Sequence, residues 1–404
     1  MSYYTLAISS NHDSSICLLE DNKILYMIPS ERICREKHTS KITKDVLSTI
    51  TQYTTTIDLL VIVNAYDNIS NVNSQAYRGK LPRINAAEFT ERVENLKNTI
   101  QEVGLVYKQL IVDNGKHHIY HAAAGFHCSG FEEALCLVVD GLGSSWQWDN
   151  ASLAETTSLF HITNTNYVEV LYKHLFYRAK NLQGHGWNID SIKKAQKHFP
   201  FKTDISSHLD IGKVYGTTTR HVGFGTSHNA GKLMGLAAYG EPNNLPPVLI
   251  NGTIISNANV FRNDSQIDTF VHPQFLNMSE KTKQNLAFNV QRALEQIFVA
   301  RVKQGLELRP SNNLIIGGGC ALNILGNSVI KKTFPHLNIY VEPIATDSSQ
   351  SLGAALFHYK NKFPETRYQR LNNLYLGLEY STIETKDKLL KLVEQYNNES
   401  NLPV

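Results

Sequence analysis

The stretch Gly115-Lys-His-His-Ile-Tyr-His-Ala-Ala-Ala-Gly-Phe-His-Cys-Ser-Gly130 holds four of the sixteen histidines in this 404-residue chain. At the start of a helix, His117 and His121 stand four apart and share a face, so two imidazoles aim at one point while His118 points elsewhere. Two convergent imidazoles suit a divalent metal, but they supply only half a ligand set. The same spacing also describes two half-buried histidines packed under a domain. Asp347, in Ala345-Thr-Asp-Ser-Ser-Gln-Ser-Leu-Gly-Ala-Ala, has the right chemistry for a missing oxygen ligand. It is equally a residue that caps the helix it precedes.

Other turns carry groups that bind anions. Asp140-Gly-Leu-Gly-Ser-Ser follows an apolar run, and backbone amides around Gly141 and Gly143 either receive an anion or close a plain hairpin. Ile316-Gly-Gly-Gly-Cys-Ala-Leu-Asn323 sets Gly317, Gly318 and Gly319 between a strand and a helix. That permits close approach of a nucleotide to the backbone, with the helix N-terminus favouring negative charge; tight strand-helix packing is the other reading. The spacing is not GxGxxG, so a dinucleotide fold is not supported. In Asn229-Ala-Gly-Lys-Leu-Met-Gly-Leu-Ala-Ala-Tyr-Gly-Glu241, Lys232 opens a helix where it can meet an anion, but the absence of full Walker spacing excludes a P-loop.

The elements that would hold these turns alternate between strand and helix. Strands are expected at Tyr4-Thr-Leu-Ala-Ile-Ser-Ser, Ser15-Ile-Cys-Leu-Leu, Ile24-Leu-Tyr-Met-Ile-Pro, Leu59-Leu-Val-Ile-Val, Gln109-Leu-Ile-Val-Asp, Ala134-Leu-Cys-Leu-Val-Val-Asp, Asn313-Leu-Ile-Ile-Gly and Asn338-Ile-Tyr-Val-Glu. Helices are expected over 86–103 and 284–305. Such alternation predicts an α/β architecture. Two strands, one in each half, run into Asp-bearing polar turns, Asn11-His-Asp-Ser-Ser and Asp140-Gly-Leu-Gly-Ser-Ser. The pair resembles the phosphate-facing loops of the actin-like ATPase superfold. No repeat of fixed short period is visible.

Composition bounds the partners only loosely. With 42 % hydrophobic and 19 % charged residues the chain reads as an ordinary folded protein of two or three domains, and a net charge of +3 argues for no particular partner. No apolar run approaches a membrane span, and no signal-peptide pattern opens the chain. Five scattered cysteines form no paired metal spacing, which predicts free thiols in a reducing cytoplasm.

Together these segments resemble the O-carbamoyltransferases of the nodulation-factor and tobramycin type. The likeness runs through His12-Asp13, Ser30-Glu-Arg-Ile-Cys-Arg-Glu-Lys-His38, the histidine segment, Asp140-Gly-Leu-Gly, Gly231-Lys-Leu-Met-Gly, Gly317-Gly-Gly-Cys-Ala-Leu-Asn and Asp347 with Gly353-Ala-Ala, over most of residues 1–380. The resemblance implies an actin-like (ASKHA) fold of two lobes, each a central mixed β-sheet flanked by helices. The first lobe would span 1–130 and the second 131–370, with 371–404 as a linker. It further implies a divalent metal, iron first, held by His117, His121 and Asp347 against the phosphate of carbamoyl adenylate. ATP and carbamoyl phosphate would be co-substrates. Asp140, Gly141, Gly143, Lys232, the three glycines 317–319 and Asn323 would face the nucleotide, and Lys37 and His38 the carbamoyl donor. His12 is the candidate base for the acceptor hydroxyl, with Asp13 orienting it or facing the nucleotide.

Family members continue into a YrdC-like module that makes the adenylate. Here Leu374-Tyr-Leu-Gly-Leu-Glu-Tyr-Ser381 resembles the linker, and the module is expected either in a longer chain or as a separate partner. Ser144 and Ala230 stand where acidic residues are common. Between Lys173 and Lys202, seven basic residues (Lys173, Arg178, Lys180, Lys193, Lys194, Lys197, Lys202) face one acid, Asp190, with Phe176, Tyr177, Trp187, Phe199 and Phe201 interleaved. This composition suits either a polynucleotide surface or a solvated face over an aromatic core. Hydroxymethylpyrimidine DNA therefore joins sugars and small alcohols as an expected acceptor, with tRNA threonylcarbamoyl transfer and a nucleotide-binding module without turnover as the alternative readings.

Overall fold

The apolar runs become two mixed sheets. The computed structural model describes residues 2–10, 12–63, 86–113, 115–148, 151–165, 168–179, 193–194, 196–197, 199–206, 210–245, 249–250, 253–254, 278–378 and 382–400. The first sheet contains β1 (Tyr4–Ser9), β2 (Ser15–Glu20), β3 (Lys23–Pro29), β4 (Thr56–Val63) and β5 (Val106–Val112), ordered β3-β2-β1-β4-β5. Strands β1 to β3 pair antiparallel, whereas β4 runs parallel to both β1 and β5. Leu59 to Val63 are buried on both faces, as a continuous apolar run in a central parallel strand must be. At the edge, β5 alternates less and stays partly exposed.

The second sheet holds β6 (Glu133–Val139), β7 (Ser145–Trp148), β8 (Ala151–Thr163), β9 (Val168–Ala179) and β10 (Lys202–Ser206). A short hairpin, β11 (Leu249–Ile250) and β12 (Thr253–Ile254), precedes its last members, β13 (Asn313–Gly317) and β14 (Asn338–Val341). Its order is β10-β9-β8-β6-β13-β14, with β7 beside β8. From β9 to β14 the sheet repeats the first one's pattern: an antiparallel meander, then two parallel strands beside the central one. The chain thus carries a repeat of topology where no repeat of sequence is visible. This duplicated mixed sheet is the actin-like architecture.

Two helices fill the space between the sheets. All thirteen residues of the His117–Ser129 helix are buried, so it presents no solvent face. Its end is fixed by Gly130 at φ 74°, the left-handed conformation that terminates helices. The Ser349–Lys362 helix crosses it, and one core joins both to Ala7, Cys17 and Val61 of the first sheet and to Cys136 and Ile315 of the second. At the crossing, a Cβ on Gly353 would overlap the Tyr120 carbonyl oxygen. Gly353→Ala is therefore expected to force the helices apart and cost about 1–3 kcal/mol in a denaturant titration. An unchanged unfolding midpoint would refute the close crossing.

The basic stretch divides. Lys173 lies on β9 with its side chain buried against Glu155, and Phe176 is core. Neither belongs to a polynucleotide surface. Lys193, Lys194, Lys197 and Lys202 are exposed. Lys180, Trp187 and Asp190 fall outside the described residues. Among the described residues no helix is long and apolar enough to cross a membrane.

Candidate metal centre

His117 and His121 open the buried helix one turn apart, and their rings lie 5.0 Å apart. Asp347 approaches from the loop before the Ser349–Lys362 helix, and Asp140 from the end of β6. His117 Nε2 is 3.1 Å from Asp140 Oδ2 and 3.4 Å from Asp347 Oδ1. His121 Nε2 lies 3.6 Å from Asp347 Oδ1 and 3.9 Å from Asp140 Oδ2. One ligand atom from each of the four residues falls within 4.8 Å of the others. Metal–ligand bonds of about 2.0–2.2 Å in a tetrahedron place ligand atoms about 3.3–3.6 Å apart, close to these separations. His121 Nε2 is buried with no hydrogen-bond partner. The residues present therefore fit a divalent ion held by two nitrogens and two carboxylates.

Glu342 orients the inner histidine. His121 Nδ1 is 2.9 Å from its carboxylate, which also accepts from Gly318 N at 2.9 Å and from the Ser349 hydroxyl. A carboxylate on the far nitrogen fixes tautomer and ring direction, as outer partners of metal-binding histidines do. Gln350 Nε2 donates to the His117 carbonyl at 3.2 Å. Asp347 does not cap its helix with its side chain; Ser348 occupies the cap position.

Charge balance holds the cluster together without an ion. Burial alone would lower His117, but Asp347 and Asp140 outweigh it and raise the imidazole to about 9. His121 likewise stands well above its ordinary value against burial, chiefly through Glu342 and Asp347. Burial would raise Asp140, yet the bond from His117 brings it down to about 2. Asp347 sits well below the carboxylate range: burial opposes this, and the two imidazoles prevail.

A cavity of about 510 Å³ opens beside the cluster and is lined by Asp140, Asp347, His12, Gly141, Gly319 and Lys213, among others. His12, 45 % exposed, places Nε2 3.1 Å from Asp347 Oδ2. Asp13 does not orient it. With φ at 56°, Asp13 turns away and binds His38 Nδ1 at 2.7 Å instead. His38 stacks on His228 at 3.8 Å, and both line the cavity. The turn is tied to the Asp347 loop by Ser348 Oγ to the Asp13 carbonyl at 3.1 Å and Ser15 Oγ to the Ser348 carbonyl at 2.7 Å.

The remaining sequence-derived residues scatter. Asp140, expected at the nucleotide, stands among the candidate metal ligands, while its Oδ1 also accepts from Gly141 N at 2.7 Å and Gly319 N at 3.3 Å. Gly318 is required by the turn: its φ is 80°, and a Cβ there would lie 2.6 Å from the Val139 carbonyl oxygen. Gly317 packs against Glu342 and His121, and Gly143 against Glu155 and His118; neither lines the cavity. Asn323 reaches its edge but is committed as the cap of the Ile324–Thr333 helix, accepting from Gly326 N at 2.8 Å. Lys232 is exposed and off the cavity wall, because its helix turns Ala230, Gly231 and Met234 inward. Lys37 is exposed and paired with Glu31 at 2.7 Å. The cations that do line the cavity, Lys213 and Arg220, carry no motif.

Fold and site together define an actin-like α/β protein with a candidate divalent-metal cluster beside its cavity. The chain belongs to the carbamoyltransferase N-terminal family, whose pattern it matches over residues 5–356. The Synechocystis protein sll1178 is 26 % identical over 433 residues, covering 97 % of this chain and 64 % of its own length. Nodulation protein NolNO of Sinorhizobium fredii is 22 % identical, covering 91 % of this chain and 49 % of its own. Nodulation protein U of the same organism is 24 % identical, with 86 % and 61 % covered. This chain therefore spans about half to two thirds of the length of these relatives. Among solved structures, HypF of T. kodakarensis superposes with a TM-score of 0.50 at 13 % identity, over 90 % of this chain and 49 % of HypF.

Proposed function

We propose that the chain transfers a carbamoyl group from carbamoyl adenylate to an acceptor hydroxyl. The observation that carries this reading is the convergence of His117, His121, Asp140 and Asp347, with the two aspartates lining the cavity and the two histidines buried behind them. A divalent ion, iron(II) in our reading, would be held by those four residues and would supply charge stabilisation to the phosphate of the leaving AMP. Gly141 and Gly319 would let the adenylate approach the backbone closely, and Lys213 and Arg220 in the same cavity wall would add to that stabilisation. With Nε2 of His12 facing Asp347, its Nδ1 is the nitrogen left to take the acceptor's proton. The acceptor oxygen bonds to the carbamoyl carbon as the carbon–oxygen bond to phosphate breaks. Carbamate and AMP leave, with the proton on the imidazole. ATP and carbamoyl phosphate would feed the reaction through a YrdC-like domain in cis or in trans.

The test is mass spectrometry of acceptors after incubation with carbamoyl phosphate, ATP, ferrous iron and a YrdC-like module added in trans. The acceptor panel holds hydroxymethylcytosine DNA, hydroxymethyluracil DNA, aminoglycosides and sugars. One acceptor is expected to gain a carbamoyl group, and His12→Asn to slow that gain by roughly 10²–10⁴-fold. If the module makes adenylate yet the chain neither modifies an acceptor nor speeds AMP release, the proposal fails.

A further inference from the structure

Glu155 on β8 and Lys173 on β9 form a buried ion pair that none of this chemistry uses. Lys173 Nζ donates to Glu155 Oε2 and lies 5.2 Å from the centre of the Phe160 ring. The other oxygen reaches two separate segments. Glu155 Oε1 accepts from Ser144 N at 3.0 Å and from His118 N at 3.2 Å. Its main chain bonds the same loop twice, Gly143 N to the Glu155 carbonyl at 2.8 Å and Glu155 N to the Ser144 carbonyl at 3.0 Å. Ser144 Oγ in turn accepts from His117 N at 3.1 Å. The first amides of a helix have no partner within it, so here the Asp140 loop and Glu155 supply them. The junction is tight: a Cβ on Gly143 would lie 2.7 Å from both Glu155 Cγ and His118 Cδ2.

Resting on the reading of the four-residue cluster as a metal centre, we propose that Glu155, neutralised by Lys173, is a positioning residue for that centre. One carboxylate oxygen locks the start of the histidine helix to the loop after Asp140, the two segments that bring His117, His121 and Asp140 together. Bulk stability does not explain the pair. Buried ion pairs exchanged for apolar side chains of similar volume usually leave stability unchanged or improved. Here one carboxylate oxygen accepts from two amides at a junction, which no apolar side chain reproduces.

That difference makes the proposal testable in the full chain, with Co²⁺ as probe, read by calorimetry and by its visible spectrum. Glu155→Gln with Lys173→Met keeps an oxygen where Oε1 stands and removes both charges. It is expected to bind Co²⁺ within about threefold of the wild type. Glu155→Leu with Lys173→Met removes the acceptor. It is expected to fold but unfold at a lower temperature, because two buried amides lose their acceptor, to bind Co²⁺ about 10–100-fold more weakly, and to shift the cobalt spectrum. Glu155→Ala with Lys173→Met gives the same readout should leucine prevent folding. Wild-type affinity and spectrum in a folded acceptor-free variant overturn the proposal alone. Failure of the wild-type chain to bind Co²⁺ overturns the metal centre and this proposal together.

Discussion

Replacing His121 with alanine is expected to abolish divalent-metal binding while leaving the chain folded. Its Nε2 is buried without a protein partner, and its Nδ1 is committed to Glu342. The ring therefore has one nitrogen left over, aimed at the same point as His117 and two carboxylates. Removing it takes away a ligand, so the loss should exceed the roughly 10–100-fold that follows loss of an outer partner. Glu342→Gln, which acts only through the ring's far side, should fall within that smaller range. In the alanine variant Glu342 keeps its bonds to Gly318 N and the Ser349 hydroxyl, so the buried carboxylate is not stranded. Metal content of the purified chains and calorimetric titration decide the matter, with circular dichroism to establish folding. Equal affinity in His121→Ala and wild type would mean that the cluster is a buried hydrogen-bond network and nothing more.

What the sequence could reveal of this site follows from the range of each interaction. His117 and His121 are four apart on one helix, so their convergence is legible from periodicity alone. The strands were legible as apolar runs, and all eight expected ones form. Asp347 lies 226 positions beyond His121, so its chemistry makes it one candidate oxygen ligand, equally a helix cap, and the likeness to a family is what singles it out. Glu342 looked like the polar end of a strand, and its bond to His121 depends on how β14 ends beside the histidine helix. Asp140 shows the limit differently. Its loop was recognised, but one carboxylate serves the metal cluster through Oδ2 and the turn through Oδ1, which no spacing rule foresees. Asp13 shows a local limit: consecutive residues in a turn with positive φ diverge, so Asp13 binds His38 and lines the cavity instead of orienting His12. Lys173 was misread because charge in a sequence suggests solvent, whereas here a carboxylate on the next strand takes it into the core.

Acidity should act in opposite directions on the metal-free and metal-bound chains. Without an ion, His117 is held at about 9 by Asp347 and Asp140, and His121 is also raised well above its ordinary value. Both rings are therefore protonated at neutral pH, each beside a carboxylate. A group whose folded value is raised stabilises the fold fully below its unfolded value, near 6.5 for histidine, and loses that contribution as pH climbs through the folded value. The metal-free chain should thus lose thermal stability between about pH 6.5 and 9. Metal binding runs the other way, because a ligating imidazole must shed its proton. For His117 alone, apparent affinity should rise about fiftyfold from pH 7 to pH 9, nearly a decade per pH unit until the half-titration point. Asp140 and Asp347 are ionised throughout this window and add no slope. Thermal unfolding with and without a saturating divalent ion, across this range, should give curves that diverge as pH rises. Parallel curves would show that the ion displaces no protons, and that these four residues do not bind it.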